Sequence, residues 1–569
     1  VEEMSVVDAI ERAVREHPDR GAVETPEGVI TYRDFGERVR DLAARIESRT
    51  APGEFVGIEA GRTPAAIVAM VAALRTRRPF VVIDPRDSAS SNRAKVASLG
   101  VGVVSRSTGP SAAAELVRTP AEWRDEAGTR PSSGPVPPRE GIGYAIHTSG
   151  STGEPKCVLV RARPLARMVG DHVRRLELGP ESRTLQFARL TFDGCVTEIL
   201  WTLTSGACLV VVDETLLAPG PVLRSTLEKF RITHLKTTPF ALTATEPTGA
   251  MSLEHVINGG GACRHAVVRT WSRAANFHNA YGTTETTVCN LLTDALAPED
   301  CGDAVPLGEI VGDCGYDIAP LPGESDGDTG GGATRGELVI TGDSVAVGYL
   351  TAEGVRPFVD DDGNRAYRTG DIVELRDGRL YFVERLDRQL KVRGYRIDPG
   401  EVESAACRLD SVKEAVVTAE AHTDVEGAGA DALVCYYQGD ADPREMRGHL
   451  EAVLDSYKVP SVLRRVESMP YTPNGKVDRD ALRESRRPEP AGDDAATPQQ
   501  RVLGLVRHLT GVGDAGLEDN FFDIGGDSAS TVLLVNKLKE LGWMDAGVRD
   551  VLRAENLREL TDRLPERSG

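Results

Sequence analysis

A chain of 569 residues is longer than one hydrophobic core usually organises, so several domains are expected. A formal net charge of −20, with 40% hydrophobic and 27% charged residues, excludes a basic nucleic-acid footprint and describes an ordinary globular composition. No stretch is apolar over the length needed to cross a bilayer. The N-terminal VEEMSVVDAIERAVREHPDR is acidic and amphipathic, without the basic start, apolar run and cleavage site of a signal peptide, so a cytoplasmic protein is expected. The 9 cysteines fall singly with no CxxC pair, and the 10 histidines are dispersed with no HExxH. Reduced thiols and no structural metal site follow.

In chain order, ITYRDFGERVRDLAARIES reads as a short strand and an amphipathic helix. EFVGIEA, PAAIVAMVAALRT, PFVVIDP and GVGVVS continue a strand and helix alternation, which predicts a mostly parallel sheet covered by helices. Residues 105–138, rich in Ser, Ala, Pro and Gly, read as a surface loop. A β-rich section begins near Gly302 and includes GELVITG and RLYFVERL; Gly323–Gly336 reads as an exposed turn. After Asp387, RQLKVRGYRIDPGEVESAACRL, EAVVTAEA and DALVCYYQG form a small α+β unit. Arg486–Pro498 has a linker composition, and QQRVLGLVRHLTG and SASTVLLVNKLKELG beyond it are amphipathic helices. The expected segments are a core over 1–386, a subdomain over 387–484, a linker over 485–497 and a terminal helical domain over 498–569.

The most informative segment is YAIHTSGSTGEPK, Tyr144–Lys156. A strand enters a loop of glycines and hydroxyls that closes on a lysine. Glycines let backbone N–H groups approach a polyphosphate, hydroxyls add donors and the lysine adds charge. GxxxxGK[ST] does not fit, so it is not a Walker A loop. TSGSTGEPK resembles the signature loop of the adenylate-forming superfamily, which includes adenylation domains, acyl-CoA synthetases and luciferases. ITYRDF, FVVIDP, NAYGTTET, GELVITGDSVAVGYL, YRTGD, RLDRQLKVRGYRIDPGEVE and NGKVDR resemble further motifs of that superfamily in the same order. Thr283 stands where the family usually has proline, Cys157 where glycine follows the Pro-Lys, and Glu384 where glycine precedes Arg385.

The resemblance implies an α/β multi-domain fold: a large adenylate-forming core, a small α+β subdomain and a four-helix-bundle carrier domain. It implies that a carboxylate attacks the α-phosphorus of ATP, pyrophosphate leaves, and a thiol then displaces AMP. Two anions meet in the first step, so cations must neutralise them. Lys476 would bridge the substrate carboxylate and the α-phosphate, and Glu285 would ligate Mg²⁺. Thr148, Ser149, Gly150, Ser151, Thr152, Gly153 and Lys156 would hold the phosphates, with Thr284 on the α-phosphate. Asn279 and Tyr281 would frame the adenine, and Asp371 and Arg385 the ribose. Asp387 would be the hinge about which the small subdomain turns to present Gly394 and Tyr395 for thioester formation.

NFFDIGGDS, Asn520–Ser528, resembles the attachment motif of carrier proteins, with Ser528 bearing 4′-phosphopantetheine at a helix start. A carrier in the same chain separates nonribosomal peptide synthetase modules from ligases that use free coenzyme A, and tethering raises the local thiol concentration. Intact Lys476, Glu285 and Asp371 argue against a non-catalytic scaffold. Asp193, in TFDGCVTEI, would pair with the α-ammonium of an amino acid. Carried over, the pocket pattern gives Asp193, Gly194, Thr197, Lys236, Val256, Asn258, Ala280, Val288 and Cys289 beside Lys476. Lys236 lies in the apolar run ITHLKTTPF, where a buried lysine needs a partner. A substrate carboxylate or amide oxygen would satisfy it, as for Asp, Asn and 3-substituted relatives. A lysine snorkelling to the surface or paired with a protein acid is the alternative. No HHxxxDG or GxSxG motif is present, so condensation and release would fall to partner enzymes in trans, after priming by a phosphopantetheinyl transferase. An MbtH-like activator is a further partner of the family; no nucleic acid or membrane partner is expected.

Overall fold

The structure, a computed structural model, describes residues 4–59, 61–107, 114–123, 141–148, 156–301, 304–321, 334–351, 353–386, 390–392, 395–420, 432–470, 477, 479–484, 498–510, 515–522, 524, 526, 528–540, 543 and 546–563. The chain divides into two compact units. One comprises 1–149, 155–217 and 221–388, and the other 150–154, 218–220 and 389–569.

Within the first unit, a nine-stranded sheet runs in the order Glu309–Ile310, Leu291–Leu292, Asn276–Tyr281, His255–Asn258, His234–Thr237, Arg183–Leu185, Cys208–Val210, Gly21–Thr25 and Gly28–Thr31. Its middle strands are parallel. An eight-stranded sheet is built around the parallel strands Val56–Glu59 and Phe80–Ile83, and a four-stranded antiparallel sheet contains Thr334–Thr341, Ala366–Arg376 and Arg379–Arg385. The segment 105–138, read as a loop, carries a short edge strand instead: Glu115–Arg118 pairs antiparallel with Val103–Arg106, and Ala121–Trp123 forms a helical turn. Leu116 and Trp123 are buried, so two apolar anchors outweigh the polar composition around them.

Helix Pro64–Arg75 is apolar on nearly every face and buried from Pro64 to Ala73. Thr63 caps it, and Pro64 stands in the first turn, where its missing N–H leaves no hydrogen bond unmade. Helix Gly194–Ser205 is buried from Cys195 to Leu203 and stops at Gly206, whose φ of 79° suits the left-handed end of a helix.

The nine-stranded sheet has two distinct faces. Leu235, Val256 and Phe277 lie opposite one another in register and enter one core with Trp271. Lys236, Ile257 and His278 form the alternate row, and Ile257 joins the other core with Ala280, Cys289 and Trp201. Near the strand starts, the rings of His234, His255 and His278 stack at 4.9 and 5.2 Å.

Within the second unit, the strands Val412–Glu420, Ala432–Gly439 and Val462–Arg465 form a sheet packed by helices Pro399–Ala406 and Pro443–Val453. The hairpin Leu390–Val392 and Tyr395–Ile397 precedes them. Helices Pro498–Thr510, Ser528–Glu540, Val548–Arg553 and Leu557–Arg563 surround a core of Val502, Val506, Leu534, Leu538, Val551 and Leu560. The segment 485–497, read as a linker, lies outside the described residues.

Candidate active site

The antiparallel strands Ile142–Thr148 and Lys156–Arg161 bring the two ends of the glycine and hydroxyl loop together. Thr148 and Lys156 are register partners, and the Thr148 hydroxyl donates to the Lys156 carbonyl at 3.3 Å. The Lys156 ammonium sits 5.2 Å from the centre of the Tyr349 ring. Ser149, Gly150, Ser151, Thr152 and Gly153 lie outside the described residues, as do Asp387, Gly394 and Lys476.

The strand Asn276–Tyr281 delivers the next group of side chains. Tyr281 donates its hydroxyl to Asp371 Oδ2 at 2.6 Å, and Arg385 pairs with Asp371 Oδ1 from the neighbouring strand. Arg385 also donates to the Thr369 carbonyl at 3.2 Å. Three of the residues assigned to the nucleoside therefore meet at one buried carboxylate, with Asp371 fully buried. Asn279 has a scaffolding arrangement. Its Nδ2 donates to the Pro306 carbonyl at 2.8 Å and its Oδ1 accepts from Asn258 Nδ2 at 2.9 Å.

Beyond Tyr281 the chain turns tightly. A Cβ on Gly282 would stand 2.3 Å from the Val288 carbonyl oxygen, so the turn needs glycine there. Thr287 and Val288 follow with φ of 65° and 67°, a left-handed pair that β-branched residues rarely adopt. This folded-back turn presents Thr284 and Glu285. Glu285 is buried and accepts from the Tyr349 hydroxyl at 2.7 Å. No cluster of three His, Cys, Asp or Glu suited to a metal occurs among the described residues. One buried carboxylate without a protein cage fits Mg²⁺ that arrives with phosphate ligands.

Asp193 stands at the start of helix Gly194–Ser205. Its Oδ2 is buried and has no hydrogen-bond partner among the described residues. Burial pushes its carboxyl up to about 6, against the opposing pull of a Thr284 hydrogen bond and of Lys236. An arriving ammonium would supply the missing partner. Lys236 reaches the same helix. Its ammonium donates to Thr197 Oγ1 at 2.5 Å, approaches the Gly194 carbonyl at 3.4 Å and lies 5.8 Å from the centre of the Trp201 ring. It is half-buried and makes no ion pair within 4 Å among the described residues, while its charge acts on the carboxyls of Asp193 and Glu198.

Of the residues expected with Asp193 and Lys236, Gly194 and Thr197 accept from Lys236, the Lys236 charge acts on Cys289, and Ala280 and Cys289 belong to the same core as Trp201, with Val288 packed against it. Val256 and Asn258 are placed differently. Val256 is in the core on the opposite face of the sheet, and Asn258 alternates with Lys236 and donates to Asn279 and to the Gly261 carbonyl. Strand alternation turns both away from the face that carries Lys236. Ile257 is the register partner of Lys236, and a Cβ on Gly259 would lie 3.4 Å from Lys236 Cε. The run VINGGG contains three glycines against which the motif can slide, so only the pleat fixes the frame. Of the two other departures, Cys157 is buried with its thiol pushed up to about 12, and Glu384 pairs with Arg335 at 2.7 Å.

In the second unit, Ser528 opens helix Ser528–Glu540. Before it, Asn520 donates to the Glu555 carbonyl at 3.0 Å, and the Gly526 N–H donates to the Phe521 carbonyl at 2.8 Å. A Cβ on Gly526 would stand 2.3 Å from the Phe521 ring, so this turn also requires glycine.

The family model described as AMP-binding enzyme matches residues 10–350, the AMP-binding enzyme C-terminal domain matches 401–476, and the phosphopantetheine attachment site matches 500–564. Tyrocidine synthase 2 of Brevibacillus parabrevis is 30% identical over 95% of this chain, which spans 15% of that protein's length. Novobiocin biosynthesis protein H of Streptomyces niveus is 31% identical over 95% of this chain and 93% of its own. Among solved structures, holo-PA1221, an NRPS protein containing adenylation and PCP domains, superposes with a TM-score of 0.78 at 23% identity, covering 99% of this chain and 96% of that one. No described helix is long and apolar enough to cross a membrane. The chain belongs to the AMP-binding enzymes, as a ligase of the nonribosomal peptide synthetase type in which an adenylation domain and its C-terminal subdomain precede a phosphopantetheine carrier domain.

Proposed function

We propose that the chain activates one amino acid as its adenylate and loads it on Ser528, and that this amino acid has an acidic or amide side chain of the Asp/Asn type or is a 3-substituted relative. The observation that carries this reading is a pair of incompletely partnered charges in one pocket. Asp193 has a buried oxygen without a hydrogen bond, and the Lys236 ammonium has only neutral acceptors. A zwitterion with a second acceptor group satisfies both. An apolar amino acid would satisfy Asp193 and leave Lys236 as it is.

In the first step a substrate carboxylate oxygen bonds to the α-phosphorus and pyrophosphate departs. Asp193 holds the ammonium and Lys236 the side chain, so the carboxylate approaches in one orientation. Asp371, Arg385 and Tyr281 form the nucleoside end, and Thr148 and Lys156 flank the phosphate loop. Lys476 is assigned to the bridge between the two anions. Mg²⁺ held at Glu285 would neutralise phosphate charge as the bond to the leaving group breaks. Ser528 would hold the phosphopantetheine arm, whose thiol would attack the acyl carbon in the second step as AMP leaves. Asp387 is assigned as the hinge between the steps, within boundaries at 1–386, 387–484, 485–497 and 498–569. Condensation or tailoring enzymes, a phosphopantetheinyl transferase and an MbtH-like protein are the proposed partners, and the cytoplasm the proposed location.

ATP–pyrophosphate exchange across the standard amino acids and 3-substituted aspartates tests the reading. Exchange confined to acidic or amide-bearing amino acids is expected. Exchange confined to an apolar amino acid would overturn the role of Lys236 while keeping the reaction. Silence with every acid, in folded protein supplied with an MbtH-like partner, would overturn the reaction itself.

A further inference from the structure

Glu198 is fully buried on helix Gly194–Ser205, and it makes no ion pair within 4 Å among the described residues. A buried carboxylate without a cation is expensive, and an apolar or amide side chain of the same size would be cheaper to bury. Burial pushes its carboxyl up to about 7. What it receives in return is a set of N–H donors from one segment. The Phe187 N–H donates to Oε2 at 3.0 Å, the Ala188 N–H to Oε1 at 3.1 Å, and Gln186 Nε2 to Oε2 at 3.1 Å.

The same segment is gripped from other sides. Arg62 donates to the Gln186 carbonyl at 3.0 Å, to Gln186 Oε1 at 2.8 Å and to the Phe187 carbonyl at 2.6 Å. Arg189 pairs with Asp84 at 2.7 Å and with Asp87 at 3.7 Å, and all three side chains are buried. The Phe192 N–H then donates to the Arg189 carbonyl at 3.0 Å, and Asp193 is the next residue. The segment 186–192 has no regular structure of its own beyond strand Arg183–Leu185, so these bonds decide where its end lies.

We propose that Glu198 is a positioning residue. With Arg62 it clamps segment 186–192 and so fixes the Asp193 carboxylate where the substrate ammonium must meet it. The inference rests on the assignment of Asp193 to that ammonium. Asp193 makes few bonds itself, and its orphan oxygen holds its place only if the backbone leading into it is fixed. Glu198 acts through backbone N–H groups and touches no reacting atom. The Ala188 N–H also reaches Oε2, at 3.2 Å, so in Glu198→Gln an amide N–H₂ replaces one acceptor oxygen, the negative charge is lost, and the three donors are left to share a single neutral acceptor oxygen.

Glu198→Gln and Arg62→Gln test the clamp in the full chain. The second removes the grip from a half-buried position and serves if the first folds poorly. In exchange assays, the KM for the amino acid is expected to rise about 10-fold in each variant while the KM for ATP stays within about 2-fold. Hydrogen exchange over residues 186–193 is expected to quicken with little change in the nucleoside-end strands. A purely structural Glu198 would lower the active fraction, and so kcat, with both KM values unchanged; that result overturns the proposal. Unchanged exchange over 186–193 also overturns it. If the unsubstituted chain is silent with every amino acid, the assignment of Asp193 falls, and hydrogen exchange still decides the clamp.

Discussion

Asp193 and Lys236 bring opposite charges to the start of helix Gly194–Ser205, where Asp193 Oδ2 has no hydrogen-bond partner and the Lys236 ammonium donates to neutral oxygens. Asp193→Asn removes the charge and leaves an amide facing an ammonium. The expected loss in kcat/KM for the amino acid is about 100-fold, read by pyrophosphate exchange, with little change in the KM for ATP. Because the carboxyl is raised to about 6, the unsubstituted chain should bind its amino acid progressively more weakly as pH falls through 6. Lys236→Leu should weaken the acidic substrate by about 100-fold and admit an apolar one, as an amino-acid panel would reveal. Lys236 stood out in the sequence as a lysine in an apolar strand, and Asp193 through the family resemblance of TFDGCVTEI. The buried Glu198 was not legible, since a glutamate inside a helical sequence ordinarily faces water.

At the scale of the element, the turn after strand Asn276–Tyr281 shows how backbone geometry serves the site. Gly282 lets the Val288 carbonyl approach, and the left-handed Thr287 and Val288 fold the chain back over it. Gly282→Ala should destabilise the protein by about 2 kcal/mol through overpacking and raise the KM for ATP, because Thr284 and Glu285 ride on the displaced turn. Thermal unfolding and exchange kinetics measure the two effects. The strands and helices around the site were readable from alternation and capping. What sequence spacing alone missed was strand phase. Three consecutive glycines, Gly259 to Gly261, left the frame of Val256 and Asn258 free to slip by one, and only the strand pairing shows that Ile257, not Val256, lies beside Lys236. The edge strand Glu115–Arg118 was missed because polar neighbours concealed its two anchors.

The molecule as a whole buries several histidines in neutral form. Burial lowers His172, His234 and His255 to about 4, and lowers His278 as well. Below pH 6.5 the unfolded chain takes up protons that the folded chain refuses, so this contribution to stability is lost as pH falls from about 6.5 to about 4. Asp193 and Glu198 act in the opposite sense. Their carboxyls are raised to about 6 and 7, so their contribution fades as pH rises through those values. His255→Gln, in the stacked row, should make the fall in unfolding temperature between pH 6.5 and 4.5 shallower, as a pH series of thermal melts would show.

The order of the domains was legible in the motifs, and matches to 10–350, 401–476 and 500–564 follow it. The central claim joins those parts: the first unit activates an amino acid that Ser528 then carries. Intact-protein mass measurement tests it most directly, after priming with a phosphopantetheinyl transferase and coenzyme A and addition of ATP, Mg²⁺ and an amino-acid panel. The account predicts two successive mass gains, phosphopantetheine and then one acidic or amide-bearing aminoacyl group, with both lost in Ser528→Ala. A carrier that gains phosphopantetheine and then takes up no amino acid under any condition would contradict it.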